Sequence, residues 1–411
     1  MKGNSQLKSS FHKILLALLL TPLSALAEWG LNMTQGVTPI SKEIYSMHMV
    51  SLWVVTVIGI VVFSIMFWSI FHHRKSKGVK PAQFSHSTTV EIIWTIIPLA
   101  IIIALAIPAT KLLIKMDDTS EAKITVKATG IQWKWKYDYL DEDLTIYSVL
   151  DDNSTKVSQR NSGIDPMNSE NYLRDVDEAI VLPINTKIRI LTTAADVIHA
   201  WWVPDLGWKR DAIPGFINDN WAIIEKEGVY RGQCAEICGA GHGYMPIVVK
   251  AVTMDKYTAW ISEKKIEQEA KKNTKDMVLT MEELMTKGEG VYKSQCLACH
   301  QANGEGMKGV FPSIAGSSIA IESDNRLRHV QQIIYGKGLM PAFGEQLSDV
   351  DIASVVTFTR NSWGNNTGDI IQAKEVSEAR TKPNVITAGD GKKEKIAEGK
   401  IDELAQAKKN N

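Results

Sequence analysis

Cys234-Ala-Glu236-Ile-Cys238-Gly-Ala-Gly-His242-Gly-Tyr-Met245 is the stretch on which the reading of this chain turns. It sets two thiols, an imidazole and a thioether in one glycine-rich loop, and a second imidazole, His199, stands upstream. Soft nitrogen and sulfur donors suit copper, and His with Cys and a weak Met is a blue-copper grouping. A mononuclear site needs one thiolate only. The second, Cys238, allows both sulfurs to bridge two coppers, each completed by one His and one weak ligand: Met245 for one, a backbone carbonyl for the other. Gly239, Gly241 and Gly243 let the loop fold tightly around the pair. On residues alone a structural zinc site, a disulfide and a copper-delivery motif stay open. Zinc, however, gains little from Met, and a disulfide leaves both His residues unexplained.

Around the loop, residues 121–254 have the texture of a small β-sandwich or barrel. Ile124–Ala128, Lys187–Leu191 and Ile247–Val252 read as strands, and Val181–Thr186 and Trp221–Ile224 as strand and turn. Residues 151–178 are polar and aperiodic and read as an inserted loop. Trp133, Trp135, Tyr137 and Tyr139 alternate with polar residues, which predicts all four on one face, half of a β-core.

Upstream lie two apolar runs, Met47–Phe71 and Ile92–Ile114, long enough to cross a bilayer as helices. Pro98 and Pro108 are tolerable there. The connection carries Arg74, Lys75, Lys77 and Lys80, so it stays on the cytoplasmic side and residues beyond about 115 lie outside. Lys2, Lys8 and Lys13, the run Ile14–Leu20 and Ala25-Leu-Ala27 predict an export signal over 1–27. Glu91 opens the second run. Thr88-x-x-Glu91 fits a capping box, and a carboxylate at the mouth of a proton path is the functional alternative.

Downstream, residues 255–279 read as an exposed helix or linker, with 261–279 as the linker proper. Thr280-x-x-Glu283 caps a helix leading into Cys296-Leu-Ala-Cys299-His300, which places two thiols to add to haem vinyl groups beside an iron ligand. A Cys-x-x-Cys redox pair is the rival. For the opposite face of the iron, Met340 in Gly338-Leu-Met-Pro-Ala-Phe343 competes with Met307 and His329. Residues 364–411 hold no aromatic residue and read as a solvated tail. Over 411 residues the 46 basic and 46 acidic side chains cancel, which argues against a nucleic-acid partner. The 4 cysteines, in two close pairs, are too few for a disulfide scaffold.

The apolar hairpin, Ile93-Trp-Thr-Ile-Ile-Pro98, Gln132-Trp-Lys-Trp-Lys-Tyr137, Asp196-Val-Ile-His-Ala-Trp201, Asp211-Ala-Ile-Pro-Gly215 and the cysteine loop resemble cytochrome c oxidase subunit II over about residues 30–260. The resemblance implies a cupredoxin-like barrel carrying a binuclear CuA centre. Its ligands would be His199, Cys234, Cys238, His242, Met245 and the Glu236 carbonyl. It further implies a magnesium ion shared with the catalytic subunit through the Glu236 side chain, a proton-channel role for Glu91, and electron entry at Trp133. Residues 280–365 resemble a class I cytochrome c. That implies covalent haem c, helix packing at Gly288, Tyr292 and Phe358, and a Pro312 carbonyl that holds the His300 ring.

The expected architecture is therefore multidomain. It comprises a two-helix transmembrane hairpin (28–118), a cupredoxin-like all-β barrel (119–260), an all-α class I cytochrome c domain (280–365) and a disordered C-terminal tail (366–411). The expected role is electron entry into a bacterial haem–copper terminal oxidase in the inner membrane, with both cofactor domains periplasmic. Expected partners are catalytic subunit I, other oxidase subunits and a reduced cytochrome c or similar exported donor. A copper subunit of a nitric oxide reductase and a copper-delivery or assembly factor are the alternatives.

Overall fold

The computed structural model describes residues 32–80, 83, 85–159, 162–274 and 276–386. The expected export signal and the end of the tail lie outside the described residues.

Helix α1 (Pro39–His72) begins with a Thr38/Ser41 capping box and a proline in its first turn. Its 34 residues span roughly 50 Å at 1.5 Å per residue, more than a hydrocarbon core requires. Helix α2 (Thr88–Asp117) keeps Pro98 and Pro108 inside it. Large apolar side chains such as Trp53, Phe63, Trp94 and Ile102 stand exposed along both helices, as lipid-facing residues do. The expected Thr88/Glu91 box is absent. The helix starts at Thr88 itself, so Glu91 sits one residue too far in, and no side chain caps this end. The Glu91 amide donates to the Ser87 carbonyl instead (3.0 Å).

The outer ends of the hairpin are fastened to the β domain. Thr38 Oγ1 donates to Leu206 O (3.0 Å), Trp221 Nε1 to Lys115 O (3.1 Å), and Lys42 pairs with Glu225. Gly207, at φ +90°, lets the chain pass against Ser41, where a Cβ would lie 2.6 Å from its Cα.

The β domain is a sandwich of two five-stranded sheets. One sheet contains β1 (Ile124–Ile131), β2 (Lys134–Tyr139), β3 (Leu144–Ser148), β5 (Lys187–Ala194) and β8 (Asn218–Ile223), in the order β3-β2-β1-β5-β8. The other contains β4 (Ile180–Pro183), β6 (His199–Val203), β7 (Trp208–Ala212), β9 (Gly228–Cys234) and β10 (Pro246–Val252), in the order β4-β10-β9-β6-β7. Period-2 patterning sends Val126, Ala128, Ile188, Ile190, Ile247 and Val249 into the space between the sheets. The aromatic strand departs from expectation at one end. Trp135, Tyr137 and Tyr139 are buried, but Trp133 precedes the strand and is only half-buried. Lys134, on the opposite face, is buried at 3% exposure because another domain covers it. The inserted segment 151–178 carries a short helix, Asp152–Val157, and returns to the sandwich through a Leu150–Val176 bridge.

Helix α3 (Met254–Lys272) runs through the expected boundary at 260 without a break. It lays Tyr257 and Ile261 on the sandwich, and Lys264 and Lys265 pair with Glu178 and Glu142. The helical domain follows: α4 (Met281–Val291), α5 (Arg326–Tyr335), α6 (Asp349–Arg360) and α7 (Ala373–Thr381). Capping boxes at Thr280/Glu283 and Ser348/Asp351 start α4 and α6. These two helices cross at Gly288, where a Cβ would lie 2.2 Å from Ser354 O and 2.7 Å from Phe358 Cβ. Tyr292, Phe358 and Trp363 cluster beside the crossing.

The expected disordered tail is corrected for residues 366–386. Ile371, Ala373, Val376, Ala379 and Ile386 are buried, and α7 lies against the helical core. Arg380 anchors it by donating to Asp349 Oδ1 (2.7 Å) and Gly344 O (2.7 Å).

Candidate metal and haem centres

Strand order brings the first site together. β9 lies between β10 and β6, with Trp201 opposite Cys234 and Pro246 opposite Gln233. His199 at the start of β6, Cys234 at the end of β9 and Met245 just before β10 therefore meet at one rim. The β9–β10 loop returns Cys238 and His242 to it, held by His242 N to Gly239 O (3.1 Å) and Tyr244 N to Gly241 O (2.9 Å).

The two sulfurs lie 3.8 Å apart and are not bonded. His199 Nδ1 is 3.9 Å from Cys234 Sγ, and His242 Nδ1 is 3.6 Å from Cys238 Sγ. The Met245 thioether is 3.6 Å from Cys238 Sγ, and the Glu236 carbonyl is 3.4 Å from Cys234 Sγ. Each sulfur thus has its own imidazole and its own weak donor. A single tetrahedral zinc would need four donors converging on one point, whereas this set has two foci joined by a sulfur pair. The donors fit two coppers bridged by thiolates. Cys238 and His199 draw the Cys234 thiol below its usual value against the cost of burial, while Cys234 and burial push Cys238 up, as expected of two close sulfurs sharing one proton.

Surrounding residues fix this arrangement, and sequence reasoning gave several of them no role. The His199 ring is fully buried, and its Nε2 donates to Asp196 Oδ1 (2.9 Å), leaving Nδ1 for a metal. Burial disfavours the Asp196 carboxylate. Bonds from His199, Gln132 N and Val197 N outweigh that and hold its pKa below the ordinary value. Gly130 makes room for the imidazole, since a Cβ there would lie 2.6 Å from the His199 ring. Gln132 Nε2 and Trp133 Nε1 both donate to Cys238 O, at 2.6 and 3.1 Å. Trp133 lies flat on the loop, where a Cβ at Gly241 would meet its ring at 2.4 Å. Trp201 is buried on Tyr137 and Trp208, whereas its neighbour Trp202 is 40% exposed.

The second site is built on the helical domain. Burial pushes the Cys296 and Cys299 thiols up to about 12 and about 11, the reverse of a redox-active pair. The His300 ring donates from Nδ1 to Pro312 O (3.0 Å), which leaves Nε2 for iron. Gly306 permits this approach, since a Cβ there would lie 2.6 Å from the Pro312 carbonyl. Met340 is half-buried on a tight turn closed by Lys337 N to Met340 O (2.9 Å), its side chain packs against the helical core, and Gln332 Nε2 donates to its sulfur (3.8 Å). Met307 is held in a bridge with Phe311. His329 is buried in α5 with Nδ1 unpartnered, and burial pushes its pKa down to about 3. Paired neutral thiols, an oriented imidazole and a loop thioether fit covalent haem. Glu91 lies far along the chain from both centres, in the first turn of α2.

A membrane hairpin, a β-sandwich with a two-focus sulfur site and a helical domain with a haem-attachment sequence together define a membrane-anchored electron-transfer protein. Residues 124–252 match the family described as cytochrome c oxidase subunit II, periplasmic domain. Residues 26–112 match its transmembrane domain, and residues 283–358 match cytochrome c oxidase, cbb3-type, subunit III. A probable cytochrome c oxidase subunit 2 of Rickettsia prowazekii is 38% identical over 57% of this chain and 72% of its own length. Cytochrome c oxidase subunit 2 of Chondrus crispus is 39% identical over 57% of this chain and 91% of its own. The crystal structure of the periplasmic domain of subunit II of the Bradyrhizobium japonicum oxidase is 35% identical, covers 36% of this chain and 98% of that one, and gives a TM-score of 0.32. The chain belongs to the cytochrome c oxidase subunit II family, with a cytochrome c domain fused at its C-terminal side. It is an electron-entry subunit of a haem–copper oxidase complex, a membrane protein whose family and fused domain imply copper and haem c.

Proposed function

We propose that the β9–β10 rim holds a binuclear copper centre through His199, Cys234, Cys238, His242, Met245 and the Glu236 carbonyl. Cys296 and Cys299 attach a haem whose iron His300 and Met340 ligate. When bound, these groups supply one-electron chemistry, by which electrons from a reduced exported donor reach a catalytic subunit that reduces oxygen to water and translocates protons. The observation that carries this reading is the sulfur pair, 3.8 Å apart, with a separate imidazole on each sulfur.

The residues of this chain bind, orient and exclude water. Asp196 fixes the His199 tautomer, and Pro312 fixes that of His300. Trp135 stands edge-on to His199, with centroids 6.0 Å apart, and helps to close that ligand off from water. Soft donors in a dry, rigid rim favour a site that changes shape little between oxidation states. Glu91 opens α2 beside the basic connection and takes up protons from the cytoplasmic side for the catalytic subunit. The Glu236 carboxylate would be the group of this chain to hold a magnesium ion shared with that subunit. The basic residues between the two helices favour a cytoplasmic connection, which supports a reading of the hairpin as lying in a bacterial inner membrane with both cofactor domains periplasmic.

Oxygen uptake and nitric oxide consumption by the purified complex test this function. Oxygen uptake abolished by Cys238→Ser supports it. Nitric oxide consumption without oxygen uptake would replace it with a nitric oxide reductase.

A further inference from the structure

The helical domain is seated on the β domain, and the seat involves the segments that border the haem site. Phe311, one residue before Pro312, meets Trp133 edge-on with centroids 5.8 Å apart. Lys134 Nζ donates to Gln346 Oε1 (2.5 Å) and lies 4.1 Å over the Phe343 ring. Gln346 donates in turn to Gln295 Oε1 (2.6 Å), beside Cys296. At the margin Lys136 pairs with Glu345 (2.8 Å), which also accepts from Tyr147 (3.2 Å). The Met340 loop thus meets the strand after Trp133, the Pro312 turn meets Trp133 itself, and the attachment helix joins them through Gln295 and Gln346.

A chain of short contacts crosses this seat. The His300 ring is bonded to Pro312 O (3.0 Å), Pro312 is covalently joined to Phe311, Phe311 touches Trp133, and Trp133 Nε1 is bonded to Cys238 O (3.1 Å). Elsewhere along the path the links are covalent. Phe311 stands edge-on against Trp133, which is half-buried at the seat.

Resting on the copper-relay reading above, we propose that Phe311 is the bridging residue between the two centres, and that Lys134 and Lys136 fix the seat of the helical domain against Trp133. With haem and copper bound, the exchange would be a one-electron transfer from the group held by His300 to the group held by Cys234 and Cys238. Neither ring changes its own oxidation state, and no proton moves. Lys134 fixes the geometry of a desolvated contact through its hydrogen bond and cation–π contact, although burying its charge costs stability, and Lys136 sets the register at the wet margin.

The test uses the purified oxidase complex, with electrons injected at the haem by flash photoreduction and arrival followed in the copper near-infrared band. Phe311→Leu is expected to slow arrival by at least an order of magnitude, with haem and copper spectra and both potentials unchanged, and Phe311→Tyr to restore it. Lys136→Glu is expected to slow arrival, and adding Glu345→Lys to recover it. Independently of turnover or metal loading, a carbodiimide is expected to join Lys136 to Glu345, read by peptide mass spectrometry. A wild-type arrival rate in Phe311→Leu with intact spectra would overturn the bridge. Absence of the cross-link in the unsubstituted complex would overturn the seat. Loss of the mixed-valence copper signal in the unsubstituted complex would instead fail the relay reading, so the two failures are distinguishable.

Discussion

Replacing Asp196 by Ala tests how the copper rim is held. The carboxylate accepts from the buried His199 Nε2 (2.9 Å), from Gln132 N (2.7 Å) and from Val197 N (2.7 Å). Alanine leaves an imidazole N–H and two backbone N–H groups without this acceptor and frees the ring to turn or change tautomer. Loss of such an outer partner typically costs about 10- to 100-fold in metal affinity, or about 1.4–2.7 kcal/mol. The Asp196 side chain is 28% exposed, so water replaces part of what is lost and the lower half of that range is expected. Asp196→Asn retains an acceptor for His199 but presents an amide N–H₂ to the backbone, so its loss should be smaller. Chelator competition on the purified complex, read from the copper absorption band, measures both variants. Affinity within about twofold of the parent in Asp196→Ala, with an unchanged spectrum, would refute this orienting role.

Further outcomes follow from the packing, the ligand set and the burial of Lys134. Gly288→Ala forces a Cβ to within 2.2 Å of a backbone oxygen and should destabilise the helical domain by about 1–3 kcal/mol in denaturant unfolding. Gly290→Ala, with nothing within 4 Å, should stabilise it by about 1 kcal/mol. Met245→Leu should keep both coppers and shift their potential in redox titration, whereas Cys238→Ser should lose the mixed-valence spectrum. Burial pulls the Lys134 ammonium from 10.5 to about 8, a difference of on the order of 3 kcal/mol. Its folded pKa lies below its unfolded one, so the penalty is full below pH 8 and is relieved as pH rises from 8 toward 10.5. The denaturation midpoint of the parent relative to Lys134→Met should therefore rise across that window.

Much of the chemistry was legible because it is local in sequence. Cys234 to Met245 and Cys296 to His300 carry their donors on single short segments, and the Thr280/Glu283 capping box marks a helix start, though the same spacing at Thr88 does not form a box. Partners distant in sequence were not legible. The need for Gly130 arises only because β1 passes the His199 ring, and Asp196 gains its role only once the chain turns into β6. Alternation placed Trp135, Tyr137 and Tyr139 correctly but could not show that the strand begins after Trp133. Lys134 has an outward-facing register and is buried by a domain more than a hundred residues later in the chain. Residues 366–386 escaped because their buried face is made of small residues, Ala373, Val376 and Ala379, among lysines and glutamates. Arg380, a charge that suggests solvent, anchors that segment instead.

The central claim is that one unpaired electron is shared by two sulfur-bridged coppers at the β9–β10 rim. Electron paramagnetic resonance of the oxidised complex, with metal analysis on the same sample, tests it most directly. The account predicts two coppers per haem-bearing chain at this rim and a hyperfine pattern from two equivalent copper nuclei. The pattern of a single copper nucleus, or zinc bound in its place, would contradict it.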